Sequence, residues 1–105
     1  MKIYILRKSI SNLKTPIEKK EYHTQSVTVR EFISEMVERN YKVRPIDATL
    51  EECVRIALDD FADGCCYIVN ATQNIRYGNL DERLNLCEED EIMLVKLKYV
   101  RGIIW

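Results

Sequence analysis

The chain has 105 residues, 47% of them apolar and 31% charged, with three Gly and two Pro. That balance excludes a disordered or low-complexity chain and leaves no composition for linkers, so a single domain over residues 1–105 is expected. A formal net charge of −1 excludes the broad basic excess of a nucleic-acid binder.

Lys2 to Arg7 reads as a strand with Ile3 and Ile5 on one face and Tyr4 and Leu6 on the other. Apolar side chains on both faces suit a central position in a sheet. The apolar run stops at Arg7 and Lys8, too short for a signal-peptide core, and no stretch approaches a membrane span. A cytoplasmic protein with no membrane partner is therefore expected, with its four cysteines as free thiols. Ser9 to Pro16 carries turn chemistry. Lys14, Lys19 and Lys20 lie close together and read as a solvated loop, not a nucleic-acid site. Glu18 to Val27 reads as a polar return strand at a sheet edge.

Thr28 opens a predicted helix that ends near Asn40. The sequence T-V-R-E allows the Thr28 hydroxyl to cap the Glu31 N–H while the Glu31 carboxylate reaches back to the Thr28 N–H, and Val27 with Phe32 suits a hydrophobic staple. Val29, Phe32, Ile33, Met36 and Val37 fall on one stripe at helical spacing. Arg44-Pro45 breaks the pattern. Thr49 with Glu52 is a second capping box, Leu50, Cys53, Val54, Ala57, Leu58 and Phe61 form a second stripe, and Gly64 is a terminator, so Thr49 to Ala62 is a second helix.

Cys65 to Asn70 is a strand, Ala71 to Asn74 a turn and Ile75 to Tyr77 a short strand. Gly78-Asn79 turns the chain into a leucine-bearing connection, Leu80 to Leu86. Cys87 to Glu91 reads as a solvated acidic turn, and Ile92 to Val100 as the last strand. The order β-β-α-(α)-β-β-β makes an α+β fold with a mixed sheet. One main helix packs on one face, an additional helix precedes the third strand, and the first and last strands run parallel side by side across a right-handed crossover.

Chemistry-bearing residues form no catalytic pattern. His23 has Glu21 and Thr24 nearby but no triad spacing. Cys65 and Cys66 are adjacent and point to opposite faces of a strand, while Cys53 and Cys87 stand alone, so the four read as small buried or half-buried apolar side chains. Asp59, Asp60, Asp63 and the run Glu88 to Glu91 lack the spacing of a cation loop, and Gly64, Gly78 and Gly102 make no phosphate-binding motif. No catalytic residue, cofactor or metal is expected. Tyr4, Tyr67, Tyr77 and Tyr99 all fall in strands, where they cover the sheet or form an exposed aromatic-aliphatic patch.

The stretch YIVNATQNIRYGNLDERLNLCEEDEIMLVKLKYVRG resembles the C-terminal half of ubiquitin-like (β-grasp) proteins, in the manner of a divergent prokaryotic member. Ile68 and Val69 match a strand, Asn70 to Asn74 a turn, Leu80-Asp81 a loop anchor, and Asp90-Glu91 the acidic turn before the final strand. The helix Thr49 to Ala62 is an insertion relative to ubiquitin. The tail Val100-Arg101-Gly102-Ile103-Ile104-Trp105 departs from a terminal Gly-Gly. The resemblance implies a non-enzymatic module that binds another protein through one sheet face or the C-terminal tail, with Leu97, Tyr99, Arg101, Gly102 and Trp105 as partner-binding residues. The alternative it implies is a modifier or sulfur-carrier precursor, trimmed of Ile103 to Trp105 and activated at Gly102 by an adenylating enzyme. A third reading, a small enzyme or metal protein using Cys65 or His23, ranks below both.

Overall fold

The computed structural model describes residues 1–9, 19–43 and 47–97. The elements are β1 (Lys2–Ser9), β2 (Lys19–His23), α1 (Val29–Val43), α2 (Leu50–Ala62), β3 (Cys66–Asn70), β4 (Ile75–Tyr77) and β5 (Glu91–Lys96). They make an α+β fold around one mixed five-stranded sheet of order β2-β1-β5-β3-β4. β1 and β5 lie side by side in the interior of the sheet and pair in parallel, Ile5 with Ile92 and Arg7 with Leu94. The other three pairings are antiparallel.

Strand alternation separates two faces. On the inner face Ile3, Ile5, Ile68, Tyr77, Ile92 and Leu94 are buried with Val29, Phe32, Ile33, Met36 and Val37 of α1 and Cys53, Ala57 and Phe61 of α2 in one core. Tyr22 of β2 closes the edge of this core with its ring against Phe32, edge to face at 5.8 Å, and its hydroxyl donates to Glu35 at 3.1 Å.

Several predicted boundaries move. β2 stops at His23, short of Val27, and Thr24 beyond it is buried. Its N–H donates to the Met1 carbonyl and its hydroxyl accepts from the Ser26 N–H. The Thr28 hydroxyl does accept from the Glu31 N–H, but the Glu31 carboxylate reaches back to the Val27 N–H, at 2.9 Å, and not to that of Thr28. Val27 remains 47% exposed, whereas Phe32, its expected staple partner, is fully buried. The next N–H groups of α1, from Val29 and Arg30, donate to the carbonyls of Glu82 and Leu80, so the connection after β4 completes the cap. α1 runs past Asn40 to Val43, directly before Arg44-Pro45, and the Tyr41 hydroxyl donates to the Ala48 carbonyl in the connection to α2.

α2 follows its predicted bounds to within a residue. The Thr49 hydroxyl accepts from the Glu52 N–H at 3.1 Å. At the other end Gly64, at φ +77°, adopts the left-handed conformation that releases the chain toward β3. β5 begins at Glu91 and ends at Lys96, followed by Leu97, whose N–H donates to the Cys65 carbonyl at 2.9 Å. The remainder of the predicted strand, to Val100, lies outside the described residues.

Candidate functional site

The helices cover the inner face of the sheet, and the outer face presents a patterned surface. Register aligns it in rows across the strands. One row reads Lys19, Leu6, Met93, Val69, Arg76, from β2 through β1, β5 and β3 to β4. The next reads Lys8, Val95, Tyr67. Leu6, Met93, Val69 and Tyr67 are half-buried, so each leaves part of its apolar surface accessible. Val95, between Lys8 and Tyr67 in the second row, is itself buried at 4% exposure, so the accessible apolar surface is that of Leu6, Met93, Val69 and Tyr67.

Cations edge the strip. The Arg76 guanidinium lies over the Tyr67 ring at 4.3 Å. Lys19 lies over Tyr4 at 4.6 Å and pairs with Glu91 at 2.8 Å. The Glu91 carboxylate raises the Lys19 pKa by accepting its hydrogen bond. Lys8 and Arg76 have no carboxylate within ion-pairing distance among the described residues. Acidic residues gather at the opposite end of the sheet face, where Lys2 pairs with Glu89 at 3.4 Å and with Glu21 at 3.8 Å.

A second apolar surface lies beside α2. Leu50, Val54 and Leu58, four residues apart and half-buried, join Leu80 to line an open groove of about 520 Å³. Its rim charges are mostly paired within the chain: Arg30 with Asp81 at 3.2 Å and Arg55 with Asp59 at 3.8 Å. Leu80, expected to anchor the tight connection, thus lines this groove, while Leu84 is the buried anchor at 1% exposure. The Leu84 carbonyl accepts from the Tyr77 hydroxyl at 2.6 Å.

The acidic turn before β5 is solvated at Glu88 and Glu89, as expected, but not at Asp90. Asp90 is buried, and its Oδ2 accepts from the Cys87 N–H at 2.9 Å, Asn70 Nδ2 at 2.8 Å and Gln73 Nε2 at 2.7 Å. Burial alone raises such a carboxyl, but these hydrogen bonds outweigh it and hold the pKa below the ordinary aspartate value. The shared acceptor ties β3, the β3–β4 turn and the entry to β5 together, and the Asp90 carbonyl accepts from the Tyr4 N–H of β1 at 2.9 Å. Such convergence braces three segments of the chain against one another.

Other chemistry-bearing side chains stay apart. The His23 ring is exposed, with Nε2 at 3.3 Å from Glu21. Cys53 and Cys66 are buried and Cys65 half-buried, but Cys87 is exposed, contrary to its expected burial. Burial, with Asp60 and Cys65 adding to it, pushes the Cys66 thiol up to about 11, which removes it as a nucleophile at neutral pH. Among the described residues no three His, Cys, Asp or Glu side chains converge to hold a metal ion, and no helix is long and apolar enough to cross a membrane.

Of the residues assigned to partner binding from the sequence, Leu97 is half-buried just after β5, at the end of the outer face. Tyr99, Arg101, Gly102 and Trp105 lie outside the described residues. Sequence reasoning did not single out the row Leu6, Met93, Val69. Their alternation within three strands was legible, but the register that aligns them was not. No family model matches the sequence, and neither a curated protein nor a solved structure is significantly similar to it.

Proposed function

We propose that the chain is a β-grasp module of the ubiquitin-like kind that binds another protein, without catalysis, through the outer face of its sheet. The element order, the parallel pairing of β1 with β5 and the crossover through α1 support the fold part of this reading. The observation that carries the functional part is the row Leu6, Met93, Val69, a continuous apolar strip across three strands on the face that α1 and α2 leave uncovered. An apolar strip with a charged rim is the composition of a protein-binding surface. The α2 groove is the competing surface, so the test compares the two. Met93→Glu should abolish capture of the partner from an extract of the native organism, and Leu58→Glu in the groove should leave it intact. Unfolding midpoints establish that both variants fold, and Leu6→Lys provides a second break in the same row. Binding that survives Met93→Glu and is lost with Leu58→Glu would assign the function to the groove.

A further inference from the structure

We infer that the partner presents to the outer sheet face an amphipathic helix with two apolar anchors between two carboxylates, spaced as acid, four residues to the first anchor, three to the second and four to the second acid. The inference rests on the sheet-face reading above and adds the partner's chemistry to it. Its basis is the uneven charge of the strip. Lys19 is satisfied by Glu91, whereas Lys8 and Arg76 are cations with no ion-pair partner among the described residues, and no acid shares their two rows. They flank the apolar side chains from opposite sides, Lys8 on β1 and Arg76 on β4.

Geometry sets the spacing. β1 and β4 are three strand intervals apart in the order β1-β5-β3-β4, and Lys8 is displaced by one row from Arg76. With strands about 4.8 Å apart and a two-residue step of about 6.7 Å, the two backbone positions are separated by roughly 16 Å on the diagonal. A helix rises about 1.5 Å per residue, so about 11 residues cover that distance. Residues 11 apart are three full turns on and share a helix face. Positions four and seven residues after the first acid fall on the same face, where they meet Leu6, Met93, Val69 and Tyr67.

The test uses synthetic helical peptides in an alanine-glutamine background, with Glu at i and i+11 and Leu at i+4 and i+7, and a second version carrying Lys for Glu. Titration should shift the methyl resonances of Leu6, Val69 and Met93 with the Glu peptide, and its affinity should fall with added salt. The double variant K8E/R76E should bind the Glu peptide about tenfold more weakly and the Lys peptide more tightly than the wild type does. Equal affinity of both peptides for the wild type would overturn the charge assignment and leave the sheet-face reading standing. Methyl shifts confined to Leu50, Val54 and Leu58 would overturn the inference and, together with partner capture that survives Met93→Glu, the reading beneath it.

Discussion

One buried oxygen of Asp90 accepts three hydrogen bonds from three separate segments. Asp90→Ala strands those donors and should cost about 2–4 kcal/mol in urea unfolding. The same carboxylate makes stability pH-dependent. Its folded-state pKa lies below the ordinary value of 3.8, so its contribution is complete above that value and fades as pH falls through the folded-state pKa. Asp90→Asn should be less costly at pH 7 than Asp90→Ala and should flatten the loss of stability below about pH 4. An unchanged acid profile in Asp90→Asn would show that other carboxylates govern it. The cysteines differ in the same residue-by-residue way. A thiol reagent should modify exposed Cys87 first and half-buried Cys65 more slowly, and reach Cys53 and Cys66 only after unfolding. Modification of native Cys66 at the rate of Cys87 would contradict its burial.

Two contrasting devices hold the elements. α1 is fixed by packing: Phe32 is fully buried against Tyr22 and the core, and Phe32→Ala should cost about 3–5 kcal/mol. The end of α2 is fixed by backbone conformation. A Cβ on Gly64 would meet no atom within 4 Å, so Gly64→Ala should cost only the left-handed backbone penalty, about 1–2 kcal/mol, measured as a shift in the unfolding midpoint. The elements were legible where side-chain chemistry is local. The stripe of α1, the Thr49 cap with Gly64, and the alternation of β3 and β5 each follow from nearest neighbours in sequence. The misreadings arose where distant segments decide. Asp90 is drawn inside by Asn70 and Gln73, and Leu84 is held by the Tyr77 hydroxyl, neither of which the local run of residues encodes.

At the scale of the molecule, one sheet separates two environments. The face under α1 and α2 is a closed core, and the opposite face is an apolar strip flanked by Lys8 and Arg76, which have no ion-pair partner among the described residues. The α2 groove is a second apolar surface with its rim charges largely paired, so the two are distinguishable by electrostatics as well as by position. Neither was visible from composition, because a net charge of −1 hides a local excess of either sign. The most direct test of the sheet-face account is a methyl-resonance titration of the protein with the partner recovered through it. The account predicts shifts at Leu6, Val69 and Met93 with Leu50, Val54 and Leu58 unmoved. Shifts at the α2 methyls with the sheet-face row unmoved would contradict it.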